Sequence, residues 1–163
     1  MKTLFKMMAL FALLFCAASC NDDDEVTLKP MEVNYANIAG IWRLTEWNGE
    51  KIDDPRYSYI VFNRKAEDEK RGYMIYTNLN SAVSERVSGA FELDTDDNGK
   101  DIITGTYDYK LSTDDEWEHT YYITELDDKS MVWTADDDMA EIRGYTRCNE
   151  IPEDIVAGTR VAF

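Results

Sequence analysis

Residues 40–49 read GIWRLTEWNG. The strand-like run 41–47 ends at Asn48-Gly49, the strongest short signal for a two-residue hairpin turn. The same grammar repeats downstream. YSYIVFN (57–63) follows DDP, and GYMIYTN (72–78) follows the charged loop RKAEDEKR. VSGAFEL (87–93) ends at DTDDNGK, DIITGTYDYKL (101–111) at STDDE, and WEHTYYITEL (117–126) at DDK. SMVWTA (130–135) ends at DDD, and MAEIRGYTRC (139–148) closes the series. Runs rich in β-branched and aromatic residues, bounded by Asp, Asn, Gly and Pro, read as strands and turns. No long 3.6-residue period and no fixed repeat interrupts them. The expected fold is all-β, with eight antiparallel strands. Their short connections leave no room for the crossovers that parallel pairing needs. Eight such strands suit an up-and-down barrel, whose closure removes exposed edges. A two-sheet sandwich is the competing arrangement. Residues 34–39 and the final IPEDIVAG each have the makings of one helical turn.

Upstream of this body the chain changes character. Lys2 and Lys6 precede MMALFALLFCAA (7–18), an uncharged apolar run. It is shorter than the roughly 20 residues of a membrane span. A basic start, an apolar middle and small residues before a cut describe a secretory signal peptide over 1–19. The small residues end in Ala17-Ala18-Ser19-Cys20, which resembles the lipobox of bacterial lipoproteins, with Ala where Leu is usual. That resemblance implies cleavage before Cys20 and a lipid on its sulfur. Several acyl chains anchor stably, since each buried CH₂ contributes ~0.8 kcal/mol. The run NDDDE (21–25) resembles the surface-export signal of lipoproteins from gut-type Gram-negative anaerobes. Any solvated acidic spacer would read the same way. Residues 20–37 are expected to be an acidic tether, and 38–163 the barrel domain. Cys16 leaves with the signal and Cys20 is blocked by lipid. Cys148 is then alone, with neither a disulfide partner nor the paired ligands of a metal site.

Charge narrows the partners. The chain holds 17 Lys+Arg against 33 Asp+Glu, a net charge of −16. Loss of Lys2 and Lys6 with the signal leaves 15 against 33, or −18. Nucleic-acid binding needs a basic stripe, and none is present. At 44% hydrophobic and 12% aromatic, the composition supports a real core.

The G-x-W of Gly40-Ile41-Trp42, followed by antiparallel strands, resembles the lipocalin and calycin pattern. GIWRLTEWNG is similar to the opening of lipocalin-like domains in surface lipoproteins, and the resemblance spans roughly residues 38–148. It implies a tryptophan, Trp42, that plugs one barrel end beneath an arginine of the last strand. Arg147 and Arg143 both qualify, and Arg147 lies nearer the strand end. A guanidinium over a flat ring is a cation–π contact. The chain departs from secreted lipocalins in lacking a disulfide and in its short body.

The remaining candidates each have two readings. Tyr59, Tyr73, Trp117 and Tyr121 either fill the barrel or line an apolar pocket open at one end. Tyr57, Tyr59 and Val61 share one strand face. Asp94, Asp96 and Asn98 fit the first half of a calcium loop, but its twelfth position is Gly105, where a bidentate Glu is required. The other reading is a hairpin turn. Asp136, Asp137 and Asp138 form a second acidic loop. His119 is the sole histidine, and nothing in the sequence places a nucleophile beside it. No cofactor pattern stands out. The expected function is a lipid-anchored, outer-membrane, monomeric protein that binds a small hydrophobic or sugar-like ligand without catalysis. A structural or protein-interaction module with a filled barrel is the first alternative. A carbohydrate-handling hydrolase is the second, since it needs only two carboxylates at a set separation.

Overall fold

The computed structural model describes residues 29–67, 70–80, 84–109 and 115–160. The expected signal peptide, Cys20 and the NDDDE run lie outside the described residues. The strands are β1 (Gly40–Trp47), β2 (Glu50–Lys51), β3 (Tyr57–Phe62), β4 (Arg71–Asn78) and β5 (Glu85–Thr95). They continue with β6 (Asp101–Tyr107), β7 (Tyr121–Leu126), β8 (Ser130–Ala135) and β9 (Ile142–Cys148). Two four-residue helices, α1 (Tyr35–Ile38) and α2 (Glu153–Val156), flank them. The sheet order is β2-β1-β3-β4-β5-β6-β7-β8-β9, and β1 also pairs with β9. Eight strands therefore close into an antiparallel up-and-down barrel, with β2 as a short arm outside the ring. The sandwich is excluded by that closure.

The turns explain the register. Asn48 and Gly49 have φ of 52° and 80°. Two positive φ values make a type I′ turn, whose twist matches that of the strands it joins. This turn leads only into β2, where Trp47 faces Glu50. The other half of β1 pairs with β3, from Gly40 opposite Phe62 to Arg43 opposite Tyr59. Between β5 and β6, Asp96 Oδ1 accepts from the backbone N–H of Asn98 (2.9 Å) and Lys100 (2.8 Å).

The interior is built from inward residues on alternate positions. Trp42, Phe62, Phe91, Ile103, Met131 and Trp133 are all buried in one cluster. Register shifts in β1 between Leu44 and Glu46 and in β7 between Ile123 and Glu125 change the alternation. An extra residue flips the faces beyond it, so Trp47 and Leu126 join the core side. Met31, Val33 and Tyr35, within the span expected to be tether, pack against the same core. Asn34 caps α1, its Oδ1 accepting from Ala36 N–H (3.1 Å) and Asn37 N–H (2.9 Å).

Two expectations need correction. Residues 117–120 do not extend β7, which pairs with β6 only at Ile102–Tyr122 and Ile103–Tyr121. Trp117 instead packs on Gly105, where an added Cβ would lie 2.2 Å from the indole. Tyr59 does not face the barrel interior. Ile60 and Phe62 take the inward positions of β3, and Tyr57 and Tyr59 lie in a separate cluster with Ile155 of α2. The C-terminal segment folds over the outside of β3 and buries that face too. A strand buried on both sides gives no clue in its sequence as to which face is inner.

Candidate functional site

One barrel end is closed. Trp42 is fully buried, and its Nε1–H donates to the Ile38 carbonyl at 2.7 Å. The Arg147 guanidinium lies 4.0 Å from the Trp42 ring centroid. It also donates to the carbonyls of Ala39 (2.8 Å) and Asn37. A Cβ on residue 40 would stand 2.9 Å from Arg147 Nη1, and Gly40 has φ of 129°. The glycine of the G-x-W motif thus leaves room for the arginine that covers the tryptophan. Arg143 takes no part in this plug.

The other end carries the cavity. Tyr73, Trp117 and Tyr121 are brought together there, with Trp117 5.2 Å from Tyr73 and 6.4 Å from Tyr121 between ring centroids. Trp117 Nε1–H donates to Tyr73 Oη (2.8 Å), and the Tyr73 hydroxyl donates to the Thr106 carbonyl (3.1 Å). Burial pushes both the Tyr73 and the Tyr121 phenol well above the usual range, so each stays protonated and able to donate. Trp133 joins the group at 5.4 Å from Tyr121 and 4.8 Å from Tyr145. Trp117, Tyr121, Trp133 and Tyr145, with Leu44, Ile60 and Arg143, line a cavity of about 210 Å³, while Tyr73 supports Trp117 without lining it. A second, wider groove of about 600 Å³ includes Tyr35, Arg71, Thr104 and His119, and Trp117 borders both spaces.

The cavity's mouth is braced by a buried carboxylate. Glu141 accepts from Trp47 Nε1 (2.9 and 2.8 Å to its two oxygens), Asn48 Nδ2 (3.0 Å) and Arg143 Nε (2.7 Å). Burial alone would raise its pKa. The hydrogen bonds from Trp47, Arg143 and Asn48 more than offset that and hold it below the usual carboxylate range. Arg143 lies 4.9 Å from the Tyr121 ring centroid and 5.4 Å from that of Trp47.

The other candidates are turn and surface features. Asp96 is occupied by its own turn, and Asp94 Oδ1 accepts from Thr95 N–H (2.8 Å). The Lys100 N–H is the main cause that lowers the Asp96 pKa. Among the described residues no three His, Cys, Asp or Glu converge as metal ligands. His119 Nδ1 lies 2.7 Å from Asp137 Oδ1, and Asp138 Oδ1 accepts from Ala140 N–H (3.0 Å). Cys148 sits on the outer face beside the Tyr57–Tyr59–Ile155 cluster.

Sequence reasoning missed Trp133, Tyr145 and Glu141, and held Arg143 only as a rival for the plug. The signal was available. Once Arg147 faces inward, positions 145 and 143 of the same strand must do so too.

A family model described as the lipocalin-like domain matches residues 38–133. No curated protein and no solved structure matches the chain.

Proposed function

The chain belongs to the lipocalin-like domain family, and from that premise we propose a non-catalytic protein that binds a small, largely apolar molecule in its barrel. The observation that carries the reading is the cavity of about 210 Å³ walled by Trp117, Tyr121, Trp133 and Tyr145. A concave, ring-lined space with a few polar groups is the general form of a small-ligand site. Its size limits the occupant. An apolar cavity of about 150 Å³ holds benzene, so this one suits a ligand only modestly larger.

The reading extends to location. A lipid on Cys20 would hold the barrel at the outer membrane, on its exposed face if the acidic run 21–25 acts as an export signal. Metabolic labelling with an alkynyl palmitate tests the anchor, with incorporation lost in Cys20→Ala. Native mass spectrometry of the full chain, purified from cells in detergent, tests the binding function. A small adduct lost on mild activation is expected. A bare mass, together with no response of tryptophan fluorescence to benzene, refutes it.

One observation favours a second reading. Trp42, Phe62, Phe91 and Trp133 fill much of the interior, each 2% exposed or less. A barrel so filled also suits a structural or protein-interaction module that works through its outer surface.

A further inference from the structure

We infer that Trp117 is a gate between the inner cavity and the outer groove, and that its swing opens a side passage through the seam between β6 and β7. The inference rests on the barrel cavity being the binding site.

That seam is the weak place in the ring. β7 pairs with β6 only at Ile102–Tyr122 and Ile103–Tyr121. Every other neighbouring pair of ring strands is joined over at least four residue pairs. Beyond Ile103 the gap is closed by residues 115–120, which form no strand and make one isolated bridge, Thr106–Glu116. They are tied to β6 by the Tyr107 N–H to the Asp115 carbonyl (2.6 Å) and the Trp117 N–H to the Gly105 carbonyl (2.8 Å). This segment stands between two spaces. Glu116, His119 and Thr120 line the groove of about 600 Å³, and Glu118 lines the cavity of about 210 Å³. Trp117 is the one residue among those described that lines both. Its ring lies over Gly105, where the absent Cβ leaves it room. With the ring swung aside, cavity and groove meet.

The ring is held lightly. Its Nε1–H donates to Tyr73 Oη at 2.8 Å, and the Tyr73 hydroxyl is fixed on the Thr106 carbonyl at 3.1 Å. Both are neutral bonds. The mouth is held more firmly, because there Glu141 accepts from Trp47, Asn48 and Arg143, and bonds to a charged group are the stronger kind. Opening the seam therefore costs less than opening the mouth. The far end of the segment stays anchored. His119 Nδ1 lies 2.7 Å from Asp137 Oδ1, and the Thr120 carbonyl accepts from Asp136 N–H at 3.0 Å. Trp117 can thus swing without unzipping β7. Tyr73 does not line the cavity, so it positions the gate without touching a ligand there. Loss of its hydroxyl loosens the gate in the empty and occupied barrel alike, which changes rates and not affinity.

The test is fluorine exchange spectroscopy with fluorobenzene on the full chain in detergent, with detergent alone as the reference. Tyr73→Phe should speed both entry and exit by about two- to tenfold, the worth of one lost hydrogen bond, with Kd unchanged. Trp117→Ala joins the two spaces and should gain binding of biphenyl, which is too long for a closed cavity little larger than one that holds benzene. In the wild type, relaxation dispersion at the Trp117 indole N–H should report an opening at least as fast as the exit of fluorobenzene. That measurement decides even if neither variant folds. Unchanged rates in Tyr73→Phe, refusal of biphenyl by a folded Trp117→Ala, or a static indole while fluorobenzene exchanges overturns the gate and leaves the cavity as the site. A weaker Kd in Tyr73→Phe without faster entry overturns it too, since it marks Tyr73 as structural only. No binding of fluorobenzene to the wild type overturns both readings.

Discussion

Glu141→Gln tests whether one buried carboxylate holds the open end of the barrel together. Glu141 joins the β1–β2 hairpin to the start of β9 through Trp47, Asn48 and Arg143. Asn48 tightens the same clasp, since its Oδ1 accepts from Ile142 N–H at 2.7 Å. Gln keeps the shape but loses the charge, and turns one acceptor oxygen into a donor that faces other donors. Hydrogen bonds to a charged group are worth about 1.5–3 kcal/mol net. Breaking a buried pair costs about 3–5 kcal/mol. Arg143 is partly solvated and Gln retains one acceptor, so the expected loss is about 2–4 kcal/mol. At roughly 3 °C per kcal/mol, Tm should fall by about 6–12 °C. Urea unfolding followed by tryptophan fluorescence measures it, with the slope unchanged. The pH dependence adds a second check. The folded pKa of Glu141 is depressed, so its stabilisation is fully present above the unfolded value of about 4.3. It is lost as pH falls through the lower folded value. The gap between wild type and variant should therefore close toward low pH. A variant within 0.5 kcal/mol of wild type at pH 7, or a gap that persists unchanged at pH 3, would refute the clasp.

Three glycines should rank by what their missing Cβ would meet. At Gly89 it meets the Thr106 carbonyl oxygen at 1.8 Å, backbone that cannot turn aside. At Gly105 it meets the Trp117 ring at 2.2 Å, and at Gly99 it meets open space with φ of 78°. Thermal melts should give losses in the order Gly89→Ala, Gly105→Ala, Gly99→Ala, the last about 1 kcal/mol, and a reversed order would discredit the packing. Arg147→Met removes the cover of Trp42 and two hydrogen bonds to carbonyls. It should cost about 2 kcal/mol in urea, with little change in benzene binding at the far end. Ile155→Ala opens the outer cluster over Tyr57 and Tyr59 and should cost about 2–4 kcal/mol. Benzene binding in that variant should match wild type, since Tyr59 lies outside the barrel.

The strands were legible because each one follows a simple rule. Alternation and turn chemistry are local, so Asn48-Gly49 and the Asp-rich turns mark hairpins without any tertiary information. The G-x-W opening marked the plug, and Gly40 shows why the motif needs its glycine: Arg147 stands where a Cβ would be. The site was only half legible. Tyr73, Trp117 and Tyr121 do converge, but through different means. Tyr73 and Tyr121 face inward by alternation, whereas Trp117 lies before β7, its N–H bonded to the Gly105 carbonyl of β6 and its ring laid over Gly105. Tyr59 failed because its face is buried by Ile155, nearly a hundred positions away in the chain. Tyr145 and Arg143 were readable by alternation from Arg147 on the same strand, whereas Trp133 meets the other rings only through the pairing of β8 with β7 and β9.

What the residues alone determined is the all-β class, the number of barrel strands and the antiparallel order, since short turns and period-two burial act over a few residues. Closure, the inner face of each strand and the size of the cavity were decided by the tertiary structure. These depend on contacts between distant segments: β1 with β9, α2 with β3, and Glu141 with Trp47. A two-residue period defines two faces for every strand, and only the closed barrel and the segments laid over it choose which one becomes the inside.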